Sequence, residues 1–120
     1  MDYNILVYAY IGDAYYELLV RNHLITMGIA KVKDLKEASL NYVSAKRQAY
    51  YLDKIMDMLT EEELDIVKRG RNAKVNSRPK SCDILTYKHA TALECLIGYL
   101  YKKRDILRIQ EIFSEIVSED

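Results

Sequence analysis

Apolar side chains recur every three to four residues along almost the whole chain, the spacing of helices that bury one stripe. From about Tyr3 to Met27, the residues Ile5, Leu6, Ala9, Tyr16, Leu19 and Val20 follow that period together with Gly12 and Asp13, and Gly28 supplies a C-terminal stop. The stretch exceeds an average helix, so one continuous helix and a broken one are both open. A short amphipathic turn is expected over Lys33 to Ala38. A longer helix follows from about Asn41 to Leu59, with Tyr42, Val43, Ala49, Leu52, Ile55, Met56 and Leu59 as its apolar face. Thr60 and Glu63 have the form of a capping box, in which hydroxyl and carboxylate each satisfy a free backbone donor. The next helix should therefore begin at Glu61 and carry Leu64, Ile66 and Val67 to Gly70. Ser81 or Asp83 can cap a further one running through Ala90, Leu93, Ile97 and Tyr101, and a last one spans about Asp105 to Val117.

One proline, Pro79, and four glycines leave few breaks, which makes the expected fold all-α. No internal repeat appears, and 120 residues suit one domain over the whole length. Eighteen basic residues balance eighteen acidic ones, so any attraction to nucleic acid must be local. Cys82 and Cys95 are too few for a disulfide framework and lack zinc-finger spacing, as expected of reduced thiols in the cytoplasm. Charges interrupt every apolar run before the roughly 18 residues of a membrane span, and the N-terminus has no secretory pattern. No membrane is expected among the partners.

The one single-sign block is Lys68 to Lys80, with Lys68, Arg69, Arg71, Lys74, Arg78 and Lys80 interleaved with Asn72, Asn76 and Ser77, and no acid before Asp83. Such a run fits a solvated connector as well as a contact to nucleic-acid phosphates.

Two acids sit where a helix is otherwise apolar. Asp13 lies between Gly12 and Ala14, small neighbours that leave room beside the carboxylate, and Glu17 follows one turn on, on the same face. Glu94 lies in the run from Thr91 to Tyr101, with Thr91 and Gly98 sharing its face, so it looks onto a cleft. A buried acid must be paired, protonated or bound to a metal ion. Two helices presenting such acids could hold Mg²⁺, which takes one or two carboxylates and keeps waters or substrate phosphates. A lone acid on an apolar helix is more often a surface residue at the rim of a buried stripe or the ion-pair partner of an arginine. His23 and His89 read as packing or capping residues, Cys95 as a buried inert thiol, and Tyr99 to Tyr101 as core or subunit contact.

The segment Ala9-Tyr10-Ile11-Gly12-Asp13-Ala14 resembles the signature helix of ribonuclease III nuclease domains, and Thr91 to Tyr101 resembles their second acidic helix. Tyr16-Glu17, the segment Tyr42-Val43-Ser44-Ala45-Lys46 with Gln48-Ala49, and the block Arg69-Gly70-Arg71-Asn72-Ala73-Lys74 are closer still to the Mini-ribonuclease III branch. That branch keeps the nuclease domain without a separate double-stranded RNA-binding domain. The larger family pattern has a further acid four residues before the signature Asp and another three before the Glu. Here those positions are Ala9 and Thr91, and the same reduction marks the branch.

The resemblance implies an all-helical, ribonuclease III-like endoribonuclease that acts on double-stranded RNA as a homodimer and depends on Mg²⁺, with Mn²⁺ as a substitute. Precursor 23S ribosomal RNA is the implied substrate, and whether a ribosomal protein presents its terminal stem stays open. Asp13 and Glu94 match the metal-binding, catalytic acids. Arg69, Arg71, Asn72, Lys74 and Arg78 are the expected RNA contacts, and Glu17 is a candidate for an outer-shell role. The rival reading is a ribonuclease III-fold binding or scaffold module without catalysis.

Overall fold

The computed structural model describes residues 3–74 and 82–118, which form α-helices without a strand. In chain order these are α1 (Ile5–Thr26), α2 (Val32–Val43), α3 (Ala45–Ile55), α4 (Glu61–Asn72), α5 (Ile84–Lys102) and α6 (Ile106–Val117), with a 3-10 turn at Met56–Met58. The most deeply buried helix, α5, lies at the centre, against α1, α3, α4 and α6. Tyr16, Val20 and Leu24 of α1, Leu52 and Ile55 of α3, and Ile109, Ile112 and Ile116 of α6 close around its Leu93, Leu96, Ile97 and Leu100. Each fully buried Leu or Ile contributes about 1.5–3 kcal/mol relative to exposure, so this cluster is the main source of stability.

Local chemistry sets the ends of the elements. The Asn4 side chain accepts from the Leu6 N–H at 2.9 Å to open α1, which runs unbroken to Gly28, whose φ of 96° ends it. The Thr60–Glu63 capping box forms as expected, Asp83 opens α5 by accepting from the Thr86 N–H at 2.7 Å, and Asp105 caps α6.

Two boundaries differ from the sequence reading. The expected short turn near Lys33 is a full helix, because Leu35, Ala38, Tyr42 and Val43 form one stripe that packs on the core. The break falls at Ser44, whose hydroxyl accepts from the Arg47 N–H at 3.3 Å and starts α3. Gly70 is no stop either. A methyl group there would meet the Cys95 sulfur at 2.9 Å, so the glycine lets α4 press against α5, and the helix continues to Asn72.

Candidate active site

Two glycines determine where the acids meet. A Cβ at Gly12 would fall 1.8 Å from the Glu94 carbonyl oxygen, and one at Gly98 would fall 1.8 Å from the carbonyl oxygen of Tyr8. Lacking both, α1 and α5 cross with their backbones in contact. The small neighbours are expected to leave room beside the carboxylates; at Gly12 and Gly98 the facing helix fills that room, while Ala14 stays exposed. The crossing sets Asp13, next to Gly12, against Glu94, one turn before Gly98.

Their carboxyl groups come within hydrogen-bonding reach of each other. Asp13 is exposed and Glu94 half-buried, so the pair opens to solvent on the Asp13 side. Burial, then the charge of Asp13, then the hydrogen bond to it push Glu94 up to about 8, while a hydrogen bond from the Gln48 amide pulls the other way. At neutral pH the Glu94 carboxyl therefore holds its proton.

Gln48 is the site neighbour that sequence reasoning missed. It is buried on α3 in line with Tyr51, Leu52 and Ile55, and its Nε2 donates to the Val43 carbonyl at 3.1 Å. The available signal was a single amide on an otherwise apolar helical stripe.

Glu17 accepts from Arg21 Nη2 at 3.2 Å, one turn along α1. The Cys95 thiol is fully buried, donates to the Ile5 carbonyl at 3.3 Å, and is pushed up to about 12 by burial first and by Glu94 second, which makes it a poor nucleophile. His23 packs edge-on against Tyr42 and Phe113. The Tyr99 hydroxyl donates to Glu62, which also pairs with Lys103 at 2.7 Å.

The basic block is partly helical: Lys68, Arg69, Arg71 and Asn72 lie in the last turns of α4, and Lys74 just beyond. Arg69 reaches back to Asp65 at 4.0 Å, and Lys68, Asn72 and Lys74 are exposed. Arg78 lies outside the described residues.

A family model described as the ribonuclease III domain matches residues 6–105. Mini-ribonuclease 3 of Brevibacillus brevis is 53% identical over 112 residues, 93% of this chain and 84% of the relative. Mini-ribonuclease 3 of Staphylococcus aureus is 38% identical over 117 residues, 96% of this chain and 87% of the relative. The chain belongs to the ribonuclease III family, in its Mini-ribonuclease 3 branch. The fold agrees: the crystal structure of protein FN1578 from Fusobacterium nucleatum superposes with a TM-score of 0.88 at 34% identity, over 97% of this chain and 94% of that one.

Membership in the ribonuclease III family makes the chain an endoribonuclease. At the two positions where the larger ribonuclease III pattern carries further acids, Ala9 and Thr91 are both buried, and the Thr91 hydroxyl donates to the Tyr87 carbonyl at 2.9 Å. No helix among the described residues is long and apolar enough to cross a membrane.

Proposed function

We propose that this chain is a nuclease domain that cleaves double-stranded RNA as a Mg²⁺-dependent homodimer in the cytoplasm, with the terminal stem of precursor 23S ribosomal RNA as substrate. The observation that carries this reading is the meeting of Asp13 and Glu94 across the glycine crossing of α1 and α5.

The donor set fits Mg²⁺. Among the described residues no three His, Cys, Asp or Glu side chains gather as a closed metal cage. Two carboxylates at a solvent-facing edge are what an ion that keeps waters and takes substrate phosphates requires. Burial first and the charge of Asp13 second hold Glu94 near 8; a divalent cation ligated by the two acids would favour their charged forms instead. When bound, Mg²⁺ neutralises charge on the phosphodiester as it is attacked and eases deprotonation of water at neutral pH.

The chain's own part is to hold and position. Asp13 and Glu94 would ligate the ion, and Gly12 and Gly98 fix the distance between the helices that carry them. Arg69, Arg71, Asn72, Lys74 and Arg78 would contact phosphates and 2′-hydroxyls across the wide minor groove of A-form RNA, which gives grip with little base readout. Their binding should weaken as salt rises.

One acidic pair cuts one strand, so a duplex calls for two sites related by a two-fold axis. Leu6, Tyr10 and Ala14 form an exposed line along α1 with Val7 beside it, and Tyr10 is 83% exposed, which supports a self-complementary apolar contact next to the acids.

The test is cleavage of a long perfect RNA duplex in Mg²⁺ at low salt by the wild type, Asp13→Asn and Glu94→Gln. The wild type should cut, and both variants should bind the duplex without cutting. A wild type that binds and never cuts, or either variant cutting at the wild-type rate, would overturn the reading.

A further inference from the structure

The buried stripe of α3 is apolar at Leu52 and Ile55, and at Gln48, 3% exposed, it carries an amide. A group that deep loses water from both its nitrogen and its oxygen, and each then needs a partner. The amide nitrogen is well served: it donates to the Val43 carbonyl at 3.1 Å, and the amide also hydrogen-bonds the Glu94 carboxylate. The oxygen, Oε1, finds no donor among the described residues. Nearby hydroxyls are engaged elsewhere. Tyr16, close enough to Glu94 to feel its charge, donates to the Tyr42 carbonyl at 2.9 Å, and Thr91 donates to that of Tyr87.

A glutamine needed only to tie α3 to the end of α2 would use its nitrogen and leave its oxygen a liability. The oxygen gains a use if the acid pair holds a hydrated cation. An ion with two protein carboxylates keeps several waters, and waters on a cation are strong donors. A neutral amide oxygen accepts from one of them without adding a third negative charge beside Asp13 and Glu94.

We infer that Gln48 is a positioning residue of the Asp13–Glu94 site: its nitrogen holds the Glu94 carboxylate, and its oxygen accepts a hydrogen bond from a water on the divalent ion. This rests on the metal reading above. Partners that orient ligands and metal-bound water typically change metal affinity by about 10–100-fold when removed.

Calorimetric titration of Mg²⁺ alone into the full chain separates the roles, with melting temperature and duplex kinetics measured alongside. Gln48→Met keeps the length and loses both polar atoms. It should bind Mg²⁺ about 10–100-fold more weakly. Its kcat should fall at low Mg²⁺ and recover as Mg²⁺ rises, while KM for the duplex stays unchanged. Gln48→Glu keeps an accepting oxygen and loses the nitrogen that holds Glu94, so it should bind Mg²⁺ more tightly than Gln48→Met, and its ion-free form should melt lower than the wild type. Wild-type Mg²⁺ affinity in Gln48→Met, with uptake lost in Asp13→Asn, overturns the role of Gln48 and leaves the metal reading standing. If Gln48→Met does not fold, wild-type Mg²⁺ affinity in Gln48→Leu overturns it alone. A wild type that takes up no Mg²⁺ overturns both.

Discussion

Glu63 and Glu94 are two glutamates withdrawn from water on neighbouring helices, and their affinities for a proton move in opposite directions. Glu63 opens α4 with its full complement of partners. Its Oε2 accepts from Arg108 Nε at 2.8 Å, and its Oε1 accepts from Arg108 Nη2 at 2.8 Å and from the Thr60 N–H at 2.9 Å. The Arg108 hydrogen bonds, outweighing burial, hold it below the usual carboxylate range. Glu94 faces a second acid instead, and burial and Asp13 together push it up to about 8. A buried charge whose counter-charge belongs to the chain is structural. Where the chain supplies only more charge of the same sign, the acid keeps its proton, as Glu94 does, unless a counter-charge comes from outside.

The comparison breaks most sharply at the level of single side chains. Asp13→Asn and Glu94→Gln should each lose more cleavage than the roughly 10–100-fold that outer-shell substitutions cost, because in the proposed site they remove the ligands themselves. Neither should lower the melting temperature at pH 7, and Glu94→Gln should raise it by relieving the acid pair. Arg108→Met should do the reverse. Stripping Glu63 of its partner should destabilise by about 3–5 kcal/mol, seen in urea unfolding, with Mg²⁺ affinity unchanged. Gly12→Ala falls between the two. Its methyl group meets backbone at 1.8 Å, so it should cost at least the roughly 1–3 kcal/mol of an overpacked core and weaken Mg²⁺ binding as well, by parting the helices.

The remaining effect is a slope. Glu94 in the folded chain keeps its proton up to about 8, whereas the unfolded chain releases it near 4.5. The unfolded state therefore binds fewer protons between those values, and stability of the ion-free protein should fall as pH rises through that window and level off above it. Glu63 has the opposite sign. Its folded value is lowered, so its contribution is present above about 4.5 and is lost as pH falls through the folded value. Melting temperatures from pH 3 to 9 should show both, and Glu94→Gln should flatten the neutral limb alone.

Much of this was legible along the chain. The capping box at Thr60 and Glu63, the stop at Gly28 and the spans of α5 and α6 are local patterns and appear as read, whereas Leu6 and Tyr101, read on the buried stripes, are exposed. The α2–α3 boundary was not: apolar spacing continues across Leu40, and the serine cap at Ser44 outranks it. The two acids were identified by being misplaced on apolar helices. Their meeting was not legible, because it depends on glycines 86 positions apart approaching each other's helix, and small residues read equally as room. Arg108 escaped notice as the partner of Glu63 for the same reason, since 45 positions separate them. The expected outer-shell role of Glu17 rested on spacing alone, and its carboxylate faces Arg21.

The most direct measurement is calorimetric titration of Mg²⁺ into the protein at pH 7, in buffers of different ionisation enthalpy, to count the protons released. With Glu94 near 8 and thus protonated at that pH, uptake should release about one proton per ion, declining toward zero above pH 9, and Glu94→Gln should release none. Mg²⁺ uptake without proton release, or no uptake at all, would contradict a site in which a divalent ion supplies the charge that Glu94 lacks.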